Sequence, residues 1–227
     1  MVDAAAIRFL RYGPHAWLLR LPDGVDESTL RWRLALERAL ARRPPAGLLE
    51  VTPGFTSLLL EFADEPPAAA ALTDLLAGLQ EFGETAADDS RAVAVPVVYD
   101  GPDLAGVATH AGLAREEVIR RHAAGRYIVA LLGFAPGFPY LLGLDPALHT
   151  PRLDTPRPVV PAGSVAIGGA HTGIYPARLP GGWNLIGRTS LTLVRSAPAN
   201  APKDCFLFAP GDRVRFVPVD AFPADDA

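Results

Sequence analysis

Between Gly133 and Gly187, glycine and proline recur so often that no stretch free of both is longer than about one helical turn. Neither residue is well tolerated inside a helix, so this part of the chain must be built from short strands and tight turns. Strand-like runs occupy residues 127–134, 164–168, 184–194 and 213–219. Short strands with frequent turn residues specify a barrel or a sandwich. Residues 127–144 carry no charge, but Gly133, Pro136, Gly137, Pro139 and Gly143 would leave backbone groups unpaired in lipid. The segment therefore reads as buried strand followed by a tight loop.

The first half follows a different pattern. Residues 7–10 and 16–21 flank Gly13-Pro14 as a strand pair, and 48–51 and 55–62 do the same around Pro53-Gly54. Between them Trp32, Ala35, Leu36, Ala39 and Leu40 recur at helical spacing, with Ser28 or Thr29 as the expected N-cap and Pro44-Pro45 as the stop. Ala68, Leu72, Leu75, Leu76 and Leu79 mark a second helix, and residues 83–91 read as a polar linker. After it come a strand at 92–99 and one or two helices within 103–124, the last beginning at Arg115-Glu116-Glu117. The expected fold class is α+β: a small α/β domain of ferredoxin-like type over 1–86, then a β-rich domain over 87–227.

The 227 residues suffice for two compact units. A net charge of −4 gives no general attraction to nucleic acid or anionic membranes. Cys205 is the only cysteine and the N-terminal stretch lacks an apolar signal core, so a cytoplasmic location is expected.

Two blocks stand out: GFAPGFPYLLGL at 133–144 and TPRLDTPRPVVPAGSVAIGGAHTGIYPARLPGGWNLIGRT at 150–189. With GPDL at 101–104, PGFTSLLLEF at 53–62 and PGDRVRFVPV at 210–219, they closely resemble the 5-oxoprolinase subunit PxpB family, also described as KipI or allophanate hydrolase subunit 1. The chain departs from that family in a shorter approach to GPDL and in His171, where Gln is common. The resemblance implies a cyclophilin-like β-barrel as the second domain. It also implies a part in an ATP-dependent 5-oxoprolinase that opens 5-oxo-L-proline to L-glutamate, with PxpC (KipA-like) and PxpA (LamB/YcsF-like) partner subunits. Relatives on the same scaffold act instead as KipI, an inhibitor of a sporulation histidine kinase, or within urea and allophanate amidolyases, so resemblance does not choose among the three.

The residues carry their own argument. Residues 128–195 hold five arginines against Asp145 and Asp154, a basic segment in an acidic chain, which suits an anionic ligand. Arg152 and Arg157 stand in the repeated Pro-Arg steps of PRLDTPRP, where proline stiffens the backbone beneath a guanidinium, and Arg188 adds a third basic candidate. Gly163 and Ser164 belong to PAGSVAIGG, which with LPGGW is a candidate loop for presenting N–H groups; Ser164 is a candidate hydrogen-bond donor to the same anion or, alternatively, a strand-initiating serine. Tyr175 and the loop residues Phe134, Pro136, Gly137 and Phe138 complete the binding candidates. His149 and His171 are the candidate proton shuttles, with Asp154 the nearby carboxylate. His122, near a helix end, is explained by charge on the helix dipole.

Several chemistries are excluded. Lys203, the only lysine, follows no Gly-rich loop, so there is no Walker A site, and there is no Met-Lys-Met biotin context. His-Glu-x-x-His, Cys-x-x-Cys and Gly-x-Ser-x-Gly are also missing, and no metal ligand set is assigned. No glutamate follows Glu117. The expectation is therefore a shared active site, with ATP held by or shared with a partner and the isolated chain inactive.

Overall fold

In the computed structural model, residues 7–21, 24, 26–73, 90–195 and 205–222 are described. They fall into two compact units, Met1–Asp89 and Ser90–Ala227. Residues 83–89 of the expected linker at 83–91 and most of the second helix lie outside the described residues, although helix begins at 69–73.

The first unit is a four-stranded antiparallel sheet, β1 (Arg8–Arg11), β2 (Ala16–Arg20), β3 (Leu48–Pro53) and β4 (Ser57–Phe62), in the order β1-β2-β4-β3. Strand alternation decides which face is buried: Leu58, Leu60 and Phe62 of β4 point inward with Leu19 of β2. They meet Leu36, Ala39 and Leu40 of α1 (Glu27–Arg42). The N-cap of α1 is Asp26 rather than Ser28 or Thr29. Its carboxylate accepts from the Thr29 backbone N–H at 2.7 Å and from the Ser28 hydroxyl at 3.0 Å. A carboxylate satisfies the first-turn donors and suits the positive helix end, so it displaces the hydroxyl residues from the cap.

The second unit is a seven-stranded sheet in the order β12-β9-β10-β7-β6-β13-β5. Its strands are β5 (Ala92–Val97), β6 (Tyr127–Leu132), β7 (Pro139–Leu142), β9 (Ser164–Gly168), β10 (His171–Ile174), β12 (Asn184–Arg188) and β13 (Arg213–Pro218). Among the described residues of this sheet only β5 and β13 pair in parallel. Just past β5, Val98 exchanges both backbone hydrogen bonds with Arg188 at the end of β12, at 3.0 and 2.9 Å. That bridge joins the two edges of the sheet and makes it a nearly closed barrel. Helices α2 (Leu104–Ala111) and α3 (Arg115–Ala124) cover one side, placing Leu104, Val107 and Val118 in a core with Val95, Val129, Ile167 and Phe216. A two-stranded ribbon, β8 (Arg157–Val160) with β11 (Leu179–Gly181), stands beside the barrel over a second core of Phe138, Val160, Tyr175 and Trp183.

The α+β class is the one expected. Most strand ends fall within one or two residues of the sequence reading; the largest difference is at 184–194, which gives a strand only to Arg188, and 127–134 ends at Leu132 because the chain turns through Phe134 at φ 67°. Among the described residues no helix is long and apolar enough to cross a membrane.

Candidate anion-binding site

Four aromatic rings set one wall of the site. The Phe138 centroid lies 5.1 Å from Tyr140 and 5.3 Å from both Tyr175 and Trp183, all edge to face, and Tyr140 and Trp183 are 5.7 Å apart. Phe134 adds its ring against Phe138 and Tyr175. This loop is held by the Gly133 N–H donating to Phe138 O and the Phe138 N–H to Ala135 O, with Gly137 at φ 79° and Pro136 exposed at its tip.

Arg152 reaches this wall, its guanidinium 6.0 Å from the Trp183 ring centroid. The loop carrying it is stitched to the barrel on both sides: Thr150 pairs with Gly169, the Leu153 N–H donates to Gly182 O at 2.7 Å, and the Asn184 amide donates to Pro151 O at 2.8 Å. Arg152 also acts electrostatically on Tyr140, Tyr175 and His171. Burial raises the Tyr140 and Tyr175 hydroxyls above the ordinary phenol value; Arg152 opposes both shifts, and the Trp183 N–H and Arg157 further oppose that of Tyr175. His171 is pushed down, first by burial and then by neighbouring His149 and Arg152, which keeps its ring neutral near pH 7. His149 itself is exposed.

Arg157 approaches from β8. Its Nη2 donates to Asp103 Oδ1 at 2.7 Å, while Nη1 is buried without a hydrogen-bond partner among the described residues. Across the ribbon it faces Gly181, where an added Cβ would lie 2.1 Å from the Tyr175 hydroxyl. Only glycine lets that hydroxyl settle on the β11 backbone beside Arg157.

Arg152, Arg157, His149, His171, Tyr175, Phe134 and Phe138 are therefore brought together. Other candidates are not. Arg188 binds Asp100 at 2.9 Å and lies over the Phe222 ring. It pairs with Ser164 at one end of β9, whereas Trp183 packs on Gly168 at the other, about 13 Å away. Asp154 is exposed and makes no hydrogen bond or ion pair among the described residues. Gly163 and Ser164 do not present free N–H groups: the Gly163 N–H donates to Tyr175 O, extending the β9–β10 pairing, and the Ser164 N–H donates to Pro161 O within a tight turn. Trp183, Tyr140 and Asp103 are the members that sequence reasoning passed over, although the glycine pair before Trp183 hints at a closely packed ring.

His122 is not a charged helix end. It is wholly buried, with Nδ1 2.8 Å from the Tyr99 hydroxyl and Nε2 2.9 Å from Thr172 Oγ1. The Thr172 hydroxyl donates to Ala166 O at 2.9 Å, which requires His122 Nε2–H to donate to Thr172 and Nδ1 to accept from Tyr99. Burial pushes the imidazole down to about 3. No group of three or more His, Cys, Asp or Glu among the described residues is placed to hold a metal.

The class follows from the chain itself: residues 7–203 match the family described as carboxyltransferase domain, subdomain C and D, and the chain belongs to that family. Its relatives within the family include the B subunit of the Escherichia coli O157:H7 5-oxoprolinase, 44% identical over 82% of this chain and 84% of the relative. The corresponding 5-oxoprolinase protein of Bacillus subtilis is 39% identical over 90% of each. Among solved structures TTHA0988 superposes with a TM-score of 0.77 at 43% identity, and the chain, 91% covered, spans 40% of that longer protein. The Kluyveromyces lactis urea amidolyase, TM-score 0.73 at 22% identity, shares the fold.

Proposed function

We propose that this chain is the B-type component of an ATP-dependent 5-oxoprolinase, acting with PxpC/KipA-like and PxpA/LamB-YcsF-like subunits in the cytoplasm. The observation that carries the reading is the convergence of Arg152 and Arg157 on Tyr175 beside the Trp183–Tyr140 wall. A small flat lactam bearing one carboxylate offers that wall an apolar ring face and the guanidinium groups an anion. An unstrained lactam is a poor electrophile, and transfer of the terminal phosphoryl group of ATP to its carbonyl oxygen, releasing ADP, activates the carbon. One water adds there, the ring C–N bond breaks with the nitrogen leaving as the protonated amine, and a second water releases phosphate from the resulting acyl phosphate to give the carboxylate. Guanidinium groups held in place stabilise charge developing on the oxygen, and neutral His171 beside His149 is suited to accept a proton. The sequence has no Walker A loop, so the nucleotide is assigned to a partner or to a shared surface.

Co-expression with PxpA-like and PxpC-like proteins, followed by assay of glutamate release from 5-oxoproline with each component omitted, tests the reading. Release is expected only from the full set, and the purified chain alone is expected neither to hydrolyse ATP nor to open the lactam. Steady turnover by the chain alone, or none by the full set, would overturn it.

A further inference from the structure

Asp103 stands at the N-cap of α2, where an aspartate ordinarily turns its carboxylate onto the first N–H groups of its own helix. It does not do so here. No side-chain cap bond forms; instead Oδ2 accepts from the Leu185 N–H at 2.7 Å and Oδ1 accepts from Arg157 Nη2 at 2.7 Å, while the Asp103 N–H donates to Leu185 O at 3.0 Å. The residue is thus clamped to β12 by backbone and side chain together. Two residues earlier the chain passes so close to β12 that a Cβ on Gly101 would lie 2.3 Å from Leu185 O. GPDL is therefore a rigid bracket whose one outward-acting group is the carboxylate oxygen on Arg157.

The arginine end of the bracket is incomplete. One η nitrogen is anchored by Asp103, the other is buried and without a partner among the described residues, and the Tyr175 hydroxyl lies within electrostatic range. An uncompensated buried N–H of a guanidinium is costly, and a guanidinium fixed through one nitrogen loses little freedom when the other takes an oxyanion. We propose that Asp103 is a positioning residue that fixes the Arg157 guanidinium so that Nη1 binds one oxygen of a carboxylate or phosphate. The inference rests on the anion-binding reading of this site and adds the residue that makes it specific. It separates the two arginines: Arg157 is held rigidly for one oxygen, whereas Arg152 lies on an aromatic face and adapts.

The test follows the arginine side-chain ¹⁵N resonances of the purified chain, with the Arg157 signal assigned by its loss in Arg157→Lys. Titrants are 5-oxo-L-proline, its uncharged carboxamide and inorganic phosphate. The Arg157 signal is expected to move with 5-oxo-L-proline if the anion is the substrate carboxylate, or with phosphate if it is a phosphoryl group, and not with the carboxamide. In Asp103→Asn, which keeps one acceptor, and in Asp103→Ala, binding should weaken about tenfold to a hundredfold, the scale of a charged hydrogen bond, while thermal melting shows both variants folded. A signal unmoved by either anion at tens of millimolar overturns the proposal, as does undiminished binding in both folded variants. The outcomes separate from those of the co-expression assay. Glutamate release with unperturbed turnover in the Asp103 variants would sink this inference alone, whereas anion binding with no glutamate release would sink the 5-oxoprolinase reading alone.

Discussion

At the scale of single residues, His122 makes the sharpest claim because its partners fix both its tautomer and its charge. The folded protein holds the imidazole neutral, with its pKa near 3, while the unfolded chain binds a proton near the ordinary histidine value of about 6.5. The unfolded state therefore binds more protons between those two values. The contribution of this group is fully present above about pH 6.5 and is lost as pH falls, approaching about 1.4 kcal/mol per pH unit at full slope. Denaturant unfolding of wild type at pH 8, 7, 6 and 5 is expected to show stability declining across the lower half of that range. His122→Gln should be less stable at pH 8 yet decline less. Equal slopes for the two proteins would mean that His122 is not buried neutral. The histidine was visible in the sequence and its environment was not, since Tyr99 and Thr172 come to it from 23 and 50 residues away.

At the scale of elements, the loop between β6 and β7 shows how local chemistry and tertiary demand can conflict. Phe134 occupies the left-handed region at φ 67° and leaves 59% of its surface exposed, where a side chain costs roughly 1–2 kcal/mol relative to ordinary conformations. Strain of this kind points toward a use, and the Phe134 ring edges Tyr175 at the aromatic wall of the candidate site. We expect Phe134→Gly to be more stable than Phe134→Ala by about 1 kcal/mol, the reverse of the usual glycine deficit, because both lose the ring and only glycine is free of the backbone penalty. Urea midpoints of the two variants decide it, and a more stable alanine variant would remove the strained backbone. The turn at 133–139 was legible as a turn from its glycines and prolines. That it would force a phenylalanine into the left-handed region was not, because the closing bonds depend on where β6 and β7 stand in the barrel.

At the scale of the whole molecule, the described cores are drawn from separate stretches of chain: one from residues up to Leu72, the other two only from Val95 onward. A fragment comprising Ser90–Ala227 is therefore expected to melt cooperatively by itself, and a fragment that stays unfolded would remove the two-domain reading. The sequence alone determined the change from helix-bearing to turn-dense grammar, most strand positions, the exclusion of a self-contained P-loop and the family. These follow from residue types and near-neighbour spacing, which act through local backbone preferences. Tertiary structure decided the bracket from Asp103 to Arg157 across 54 residues, the seating of Arg152 on Trp183, and the removal of Arg188 to Asp100. Closing a barrel sets which strand ends meet, and that register lies in the sum of many weak pairings rather than in any motif, so the sequence put Arg152 and Arg157 first by their Pro-Arg steps but only the closed sheet showed what each of them and Arg188 touches.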